Sequence, residues 1–408
     1  MTGARPHSGD VEGLLREAAP RVLAAVVRRF GDFADAEDAT QEAMLDASRQ
    51  WPAQGAPENP TGWLIAVASR RMTDRIRADS ARRAREERLA AEPEPGPPAT
   101  ADDTLALIFM CCRPELSPAS AIALTLRAVG GLSTAQIAAA FLVPETTMGR
   151  RIARAKQTVA AAAEPFGLPA AAERAERLRA ALAVLYLIFN EGYAASEGPE
   201  LARAELAAEA IRLTRIARAA LPDEPEVRGL LALMLLTDAR RPARTDAHGE
   251  LVPLDEQDRS LWDAAAIAEG ERVLGEAIAA GAVGAYQLQA AIAVAHDRAH
   301  RAEDTDWAEI LALYGLLERV APGPMVALNR AVAAAMAAGP EAGLALLAEV
   351  EPKLEGHHRV HAVRAHLLEL AGDGQGAHAE YRRAAELTAS LPEQRYLTRR
   401  AARLAGGA

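Results

Sequence analysis

The sequence has few of the residues on which disulfide-bonded and sheet-forming folds depend. Among 408 residues only two are cysteines, Cys111 and Cys112, and they are adjacent. An adjacent pair without CxxC spacing cannot build a disulfide framework, so the sequence fits a reducing, cytoplasmic setting. Aromatic residues make up 4% of the chain. No run of alternating β-branched residues is long enough to indicate a sheet.

Long apolar runs and catalytic signatures are also missing. The longest apolar run, AALAVLYLIF at 180–189, is too short to cross a bilayer, and the N-terminus has no apolar signal segment. We therefore expect no membrane partner. The sequence contains no phosphate-binding glycine loop, nucleophile elbow or dinucleotide glycine pattern. We expect no catalytic residues, no cofactor, no metal and no enzymatic activity.

The sequence is instead rich in helix-forming residues. Half of the residues are hydrophobic, and alanine dominates together with leucine, arginine and glutamate. This composition favours helix throughout the chain, so the predicted fold class is all-α. A chain of this length exceeds one ordinary core, which predicts two to four domains.

Composition divides the chain into four parts. Residues 10–90 form one helical unit, which ends at the proline-rich stretch AEPEPGPPAT, residues 91–100. Because so many prolines exclude both helix and sheet, we expect this stretch to be a linker. A second helical unit is predicted over 101–167, and a long helical region continues over 168–408.

Charge is distributed unevenly over these parts. The formal net charge of the chain is -10. Residues 1–90 hold 14 arginines and 14 acidic residues, while residues 101–169 hold six basic and five acidic residues. Most of the excess negative charge therefore lies after residue 169. The first 169 residues are close to neutral or locally basic, and the rest of the chain is acidic. This difference predicts that the two parts bind different partners.

The last part contains a loose repeat. The segments LNRAVAAAMAAGPEAGLALLAEVEP (328–352) and VRAHLLELAGDGQGAHAEYRRAAEL (363–387) share a layout, in which a small-residue helix ends at a glycine and a second helix follows. The two glycines, Gly339 and Gly372, are 33 residues apart. A period near 34 resembles the tetratricopeptide repeat (TPR), so we predict a TPR-like helical array over 168–408.

The densest short basic helix lies in the stretch STAQIAAAFLVPETTMGRRIARAKQ, residues 133–157. A helical wheel places three apolar residues within about 40° of Met148: Ile152, Ala155 and Val159. The opposite arc carries threonine and arginine, with further basic residues on its flanks: Thr147, Arg150 and Arg154, then Arg151 and Lys156. A short helix precedes this one across a tight turn, which is the layout of a helix-turn-helix with its second helix in the major groove.

Two observations bear on that interpretation. A basic amphipathic helix is also compatible with a plain solvated face. In addition, helix-turn-helix turns often have glycine where Leu142 stands. Leu142 must therefore adopt an unfavourable backbone conformation or belong to a different turn.

Two further motifs precede the helix-turn-helix. DAEDATQEAMLDASRQW (35–51) is a helix with acidic and glutamine residues on one face and apolar residues on the other. After the loop PAQGAPENP (52–60) comes TGWLIAVASRRMTDRIRADSARR (61–83), which starts apolar and becomes basic. Between Arg70 and Arg88 the sequence has eight arginines and four acidic residues.

The three motifs together, in this order and spacing, resemble the sigma-70 family of bacterial RNA polymerase initiation factors. The likeness is to the extracytoplasmic-function (ECF) group, which keeps the second and fourth sigma domains, and it covers about residues 10–165. It implies two small helical sigma domains, the second with a helix-turn-helix, and core RNA polymerase (β′ clamp and β flap) and promoter DNA as partners.

The resemblance also implies roles for individual residues. The residues that match the polymerase-binding face are Asp35, Glu37, Asp38, Gln41 and Glu42. Those that match the -10 reading and melting segment are Asn59, Arg70, Arg71, Asp74, Arg75 and Arg77. Those that match the -35 recognition helix are Thr147, Arg150, Arg151 and Arg154, with Lys156 at its end. Many relatives have asparagine where Arg70 stands and a basic residue where Gly149 stands, so the promoter sequence cannot be transferred.

The back half resembles the C-terminal extension of an ECF subgroup with TPR-like repeats, on the segments LIFNEGYAAS (187–196), DEQDRSLWD (255–263) and LNRAVA (328–333). In that subgroup the extension replaces or supplements a separate regulatory protein. The resemblance implies that residues 168–408 regulate activity, by covering a DNA or polymerase surface or by binding a regulatory protein.

Other interpretations of the sequence stay open. One alternative is a stand-alone helix-turn-helix transcription regulator whose repeat domain binds a protein. Another is a metal site built from histidines, which would require a third ligand: His296, His300, His357, His358 and His361. Asn190 and Glu191 fit a buried polar cap better than a ligand site. Residues 238–259 are either an exposed loop or an ordered contact to the sigma domains or a partner.

Overall fold

The computed structural model of the chain describes residues 8–83, 101–162 and 166–405. The chain forms two compact units, residues 1–187 and 188–408. Within the described residues all regular structure is helical, and extended backbone pairs only at two isolated bridges, Gly198 with Ser390 and Thr245 with Leu251. The all-α prediction is confirmed. The predicted linker 91–100 lies outside the described residues.

The first unit begins with three mutually packed helices, α1 (Ser8–Phe30), α2 (Phe33–Gln54) and α3 (Pro60–Arg83), which we call the first module. Asp32 caps α2 by accepting a hydrogen bond from the Asp35 backbone nitrogen. The buried side chains include many alanines, and the large ones among them include Leu23, Leu64, Met72 and Trp51. Burial of this set supplies the main driving force that holds α2 against α3.

Four shorter helices follow in the same unit, and we call them the second module: α4 (Ala101–Cys111), α5 (Pro118–Ala128), α6 (Thr134–Ala140) and α7 (Glu145–Ala161). Ser117 caps α5, and Ser133 forms a reciprocal capping box with Gln136 at the start of α6. These caps satisfy backbone N–H groups that the helices leave without a partner. Helix α8 (Ala171–Tyr193) follows and runs across the boundary between the units.

The second unit is an array of helices joined mostly by short turns, with one long connection between α10 and α11. In order they are α9 (Ala204–Ala220), α10 (Pro225–Asp238), α11 (Ala264–Ala279), α12 (Ala285–Asp297), α13 (Trp307–Val320), α14 (Pro324–Ala338), α15 (Pro340–Val350), α16 (His358–Leu370), α17 (Gly374–Leu387) and α18 (Leu391–Ala405). Consecutive helices pack against each other along the chain, as in repeat proteins. None of the described helices is long and apolar enough to cross a membrane.

The two glycines predicted to end repeat helices do so. Gly339 separates α14 from α15 with φ 101°, and Gly372 follows α16 with φ 82°. Only glycine enters this backbone region without a steric cost, which explains why each helix ends there. The helix pairs α14–α15 and α16–α17 are therefore equivalent hairpins, as the repeat predicted.

The long polar segment between α10 and α11 is ordered within the second unit. Arg240 donates to the Asp297 carboxylate and to the Ala293 carbonyl, both at 2.8 Å. Arg259 donates to the carbonyls of His296 and Ala299 at 2.6 and 2.7 Å. These bonds satisfy carbonyls at the C-terminal end of α12. The segment is thus an ordered part of the second unit and not a simple exposed loop.

The buried polar cap predicted at Asn190 and Glu191 is present around Glu191. Its carboxylate forms an ion pair with Arg203 and accepts a hydrogen bond from the Ser196 hydroxyl at 2.8 Å. Ala195 and Arg203 donate backbone bonds to Leu201 and Gly192. Glu191 therefore fastens the connection between α8 and α9.

Candidate nucleic-acid interface

Helix α7 presents two faces of opposite chemistry. The predicted apolar stripe is buried: Met148, Ile152, Ala155 and Val159. Thr147, Arg150 and Arg154 are exposed, and Arg151 is half-exposed. Because α6 and α7 pack across the turn at 141–144, α7 stands with its arginine and threonine face toward solvent. Arginine there can pair bidentately with guanine or neutralise phosphate.

The turn before α7 carries the strain that the sequence predicted. Leu142 has φ 49°, and among the non-glycine residues that the structure describes it is alone in having positive φ. Its side chain is also exposed, at 49%. The left-handed conformation costs a non-glycine residue about 1–2 kcal/mol. Backbone hydrogen bonds from Leu142 and Val143 to Ala139 and Ala138 hold the turn in this geometry.

Lys156, at the end of the same helix, does not share this exposure. Its side chain is 11% exposed and forms ion pairs with Glu37 and Asp38 of α2. The Lys156 Nζ lies 2.6 Å from the Asp38 Oδ1. In this structure Lys156 therefore faces the first module and not solvent, where a DNA phosphate would have to be.

Glu37 is the most buried member of the predicted polymerase-binding face, with no exposed surface. Besides Lys156 it pairs with Arg127 of α5, whose Nε lies 2.8 Å from the Glu37 Oε1. Arg127 also donates to the Leu132 carbonyl at 3.3 Å. Both cations come from the second module, so Glu37 joins the two modules in this conformation.

The other acidic residues of α2 face the arginines of α3. Arg71 pairs with Glu42 at 2.5 Å and with Asp46. Arg75 lies 2.6 Å from Glu42 and 3.5 Å from Asp35. The hydrogen bond to Asp46, together with the charges of Asp46 and Glu42, raises the pKa of the Arg71 guanidinium against the effect of burial. The predicted polymerase-binding acids and -10 arginines thus neutralise each other in part.

Several predicted residues stay at the surface of the first module. Arg70, Asp74 and Arg77 are exposed on α3, and Gln41 is half-buried on α2. These positions remain accessible to a partner. Asp38 also keeps 51% of its side chain exposed despite its ion pairs.

Asn59 already performs a structural task in this conformation. Its Oδ1 accepts a hydrogen bond from the Gly62 backbone nitrogen at 2.9 Å, which caps the start of α3. The rings of Trp51 and Trp63, one on each side of the loop in sequence, pack edge to face with centroids 5.6 Å apart. The Gly55 backbone nitrogen donates to the Trp51 carbonyl. The loop over residues 55–59 is therefore held at both ends, and Asn59 is exposed.

Four of the five histidines raised as metal ligands are engaged in other contacts. His296 packs edge to face on Trp307, His357 stacks on His358, and His361 lies 2.7 Å from Glu380. In the described part of the chain no three His, Cys, Asp or Glu side chains are grouped so that they could hold a metal ion.

Both modules match known protein families. Residues 14–82 match the family described as Sigma-70 region 2, and residues 106–159 match the family described as Sigma-70, region 4. The first match contains α2 and most of α3, and the second contains α6 and most of α7, the helix-turn-helix. The chain belongs to the sigma-70 family of RNA polymerase sigma factors. Residues 177–278 match a family of unknown function, DUF6596.

Three relatives illustrate how this likeness is distributed. The chain is 43% identical over 402 residues to the uncharacterized protein R00370 of Rhizobium meliloti (strain 1021), which covers 96% of this chain and 95% of that protein. It is 32% identical over 139 residues to the probable ECF RNA polymerase sigma factor SigI of Mycobacterium tuberculosis (strain ATCC 25618 / H37Rv), covering 32% of this chain and 45% of SigI.

The third relative is the ECF RNA polymerase sigma factor SigK of Mycobacterium ulcerans (strain Agy99). The identity is 34% over 107 residues, which covers 22% of this chain and 57% of SigK. The chain therefore spans about half the length of these two named sigma factors, whereas it matches R00370 over nearly its whole length. The expected ECF sigma factor with a C-terminal extension is confirmed.

Arg127 was not among the predicted functional residues, although it pairs with Glu37 of the predicted polymerase-binding face. The sequence does contain a hint of this pairing, because Arg127 is the lone charged residue in the apolar helix PASAIALTLRA. A single arginine in a buried helix usually has an acidic partner nearby in the fold. The identity of that partner could not be read from the sequence, because Glu37 lies 90 residues away.

Proposed function

We propose that this chain docks on core RNA polymerase through the acidic face of α2, reads and melts the -10 element with α3, and reads the -35 element with α7. The polymerase-binding residues would be Asp35, Glu37, Asp38, Gln41 and Glu42. The -10 residues would be Asn59, Arg70, Arg71, Asp74, Arg75 and Arg77. The -35 residues would be Thr147, Arg150, Arg151, Arg154 and Lys156. Glu37 and Lys156 can act only in a conformation that exposes them.

The observation that carries this proposal is the exposed face of α7. Thr147, Arg150 and Arg154 are exposed to solvent, while the apolar stripe on the opposite side of α7 is buried. All three exposed residues lie within the matched Sigma-70 region 4. A buried stripe fixes the helix on the module, so that the exposed side chains are presented with defined spacing. Defined spacing is what base-edge recognition in the major groove needs.

Promoter-dependent transcription tests this directly. Core polymerase with the full chain would be supplied with a library of genomic promoter fragments, and the transcripts would be counted. Arg150→Ala with Arg154→Ala should lower promoter-specific transcripts at least about tenfold, because each bidentate contact contributes about 1–3 kcal/mol. The exposed Arg319→Ala on α13 is the matched control and should have no effect. Unchanged promoter choice in the double variant would refute the role of α7.

We propose further that the C-terminal helical region regulates this activity, either directly or by binding a regulatory protein. Its support is the acidic charge of the chain after residue 169 and its match to a separate family. Acidic surface opposes the phosphate attraction on which DNA binding depends. A chain that ends at Leu187 keeps the Arg177 contact with the Phe109 carbonyl. If the extension restrains activity, this shortened chain should transcribe more than the full chain. If the extension is required, it should transcribe less.

A further inference from the structure

The last two helices, α17 and α18, carry a basic surface within the acidic part of the chain. Residues 374–405 contain six arginines and three glutamates. Arg395, Arg399 and Arg403 are exposed and follow one another at intervals of four residues on α18. This interval places them on one face of the helix, about 6 Å apart along its axis. Such a row of guanidinium groups attracts carboxylates or phosphates.

A groove of about 730 Å³ lies between α17 and α18. Its apolar lining includes alanines, and four groups along it carry or can take positive charge: His378, Arg382, Arg395 and Arg399. The carboxylate of Glu386 also lines it. Among the described residues no carboxylate pairs with Arg382, which is exposed. Positive charge therefore exceeds negative charge along the groove.

Two hydrogen bonds between α17 and α18 hold the groove open in a fixed geometry. The His378 Nδ1 donates to the Ala401 carbonyl at 2.8 Å. The Gln394 side chain donates to the Ala385 carbonyl at 3.1 Å. Because these bonds already order the two helices, a ligand of the groove does not have to supply that ordering free energy.

One carboxylate of the chain itself already lies at the arginines of the groove. Glu250, in the connection between α10 and α11, has its Oε1 2.9 Å from the Arg395 Nε and its Oε2 3.1 Å from a terminal nitrogen of Arg399. A short turn carries this side chain, and Thr245 and Leu251 pair across it as an isolated antiparallel bridge. Arg395 and Arg399 therefore accept a glutamate that is presented by a turn of polypeptide.

The pairing with Glu250 is incomplete. The side chains of Arg395 and Arg399 keep 46% and 45% of their surface exposed. The Glu250 Oε2 is buried, yet it accepts no hydrogen bond from the described residues. Exposed ion pairs contribute about 0–1 kcal/mol each. A carboxylate of another molecule can therefore replace Glu250 at low cost, while Arg382 remains open to a second carboxylate.

We infer that the groove between α17 and α18 binds an acidic segment of a partner protein, and that Glu250 occupies part of this site when the partner is absent. Arginines about 6 Å apart match carboxylates that alternate along an extended peptide, which are about 6–7 Å apart. The alanine lining fits the apolar atoms of a polypeptide, which a phosphate backbone does not offer. The binding site is a property of the second unit, whereas its regulatory consequence rests on the proposed function.

Binding of a fluorescein-labelled peptide of alternating glutamate and alanine to the full-length chain, measured by fluorescence anisotropy at low salt, tests the site. We expect saturable binding, and none of the matching glutamine–alanine peptide. Arg395→Gln with Arg399→Gln should weaken binding at least about tenfold, because each exposed pair contributes up to about 1 kcal/mol. Arg382→Gln removes no ion pair with a described residue and should weaken binding at least about threefold.

Glu250→Gln distinguishes an internal competitor from a purely structural ion pair. Removal of the competing carboxylate should tighten peptide binding at least about threefold. Two exposed residues outside the groove provide matched charge controls, Glu349→Gln on α15 and Arg319→Gln on α13, and neither should change the affinity by that much. An unchanged or lowered affinity in Glu250→Gln would overturn the proposal.

A labelled single-stranded oligonucleotide is the competing ligand. If the oligonucleotide binds with the expected dependence on Arg382 and Glu250 while the peptide does not bind, the groove recognises nucleic acid and the proposal is wrong. Absence of peptide binding to both the parent and Glu250→Gln would also overturn it.

This proposal and the proposed function fail in different ways. If the chain binds the acidic peptide through the groove but does not bind core polymerase, the groove assignment stands and the proposed function is wrong. If the chain binds core polymerase and transcribes from promoters but binds no acidic peptide, the proposed function stands and the groove assignment is wrong.

Discussion

At the scale of single residues, the turn before helix α7 holds Leu142 in a strained backbone conformation, and a single substitution can remove that strain. Leu142→Gly should stabilise the first unit by about 0.5–1 kcal/mol, because relief of the left-handed strain exceeds the entropy that glycine loses on folding. Leu142→Ala keeps a Cβ and should give no such gain. Urea unfolding of both variants checks this. Equal stability of the glycine and alanine variants would show that the turn is not strained.

His296 makes the second unit sensitive to acid. Burial, with the charges of Arg240 and Arg259, lowers the pKa of His296 to about 3. The unfolded chain, with an ordinary histidine pKa near 6.5, therefore binds a proton that the folded chain excludes. The contribution of His296 to the free energy of unfolding should fall by about 1.4 kcal/mol per pH unit as the pH drops from about 6 toward 3. The neighbouring Asp297 acts in the opposite direction, because burial raises its pKa.

His296→Phe isolates this effect, because phenylalanine keeps a ring against Trp307 and cannot titrate. Between pH 6 and 4 the unfolding free energy of this variant should depend less steeply on pH than that of the parent, by about 1.4 kcal/mol per unit. Parallel pH profiles for the parent and His296→Phe would contradict the assignment.

At the scale of elements, the segment between α10 and α11 belongs to the core of the second unit. Trp262 is 7% exposed, and the guanidinium carbons of Arg240 and Arg259 lie 5.3 and 4.7 Å from its ring centroid. The ring therefore orders both arginines, which in turn bind the end of α12. The segment also reaches α18, where Glu250 pairs with Arg395 and Arg399 at 2.9 and 3.1 Å.

Trp262→Ala should accordingly destabilise the second unit by about 3–4 kcal/mol and speed amide exchange over residues 240–262. The adjacent Leu261 is 52% exposed, so Leu261→Ala is a matched control and should cost less than about 0.5 kcal/mol. Thermal unfolding and hydrogen exchange measure both. Similar losses in the two variants would mean that the segment is held by its backbone and not by Trp262.

Elements were also the scale at which the sequence was most informative. The apolar stripe of α7 and the glycine turns at Gly339 and Gly372 followed from periodicity and backbone freedom, which act over a few residues. Arg240 with Asp297, and Glu37 with Arg127, join positions 57 and 90 residues apart. No local pattern specifies such pairs, because they depend on how helices cross. For this reason the sequence could suggest candidate residues on α2 and α7 but not the residues with which they pair.

At the scale of the whole molecule, a sigma-70-family front half is followed by a helical array that matches a family of unknown function. The front half holds its predicted polymerase-binding acids against its own cations. A partner that binds these acids therefore has to replace the ion pairs that they already make.

Co-purification with core RNA polymerase tests the central claim most directly. The parent chain and a variant with Asp35→Arg and Gln41→Ala would each be passed over immobilised core enzyme at two salt concentrations. We expect the parent to bind and the Asp35→Arg, Gln41→Ala variant to lose binding. Failure of the parent to bind core polymerase would contradict the sigma-factor function and favour a stand-alone transcription regulator.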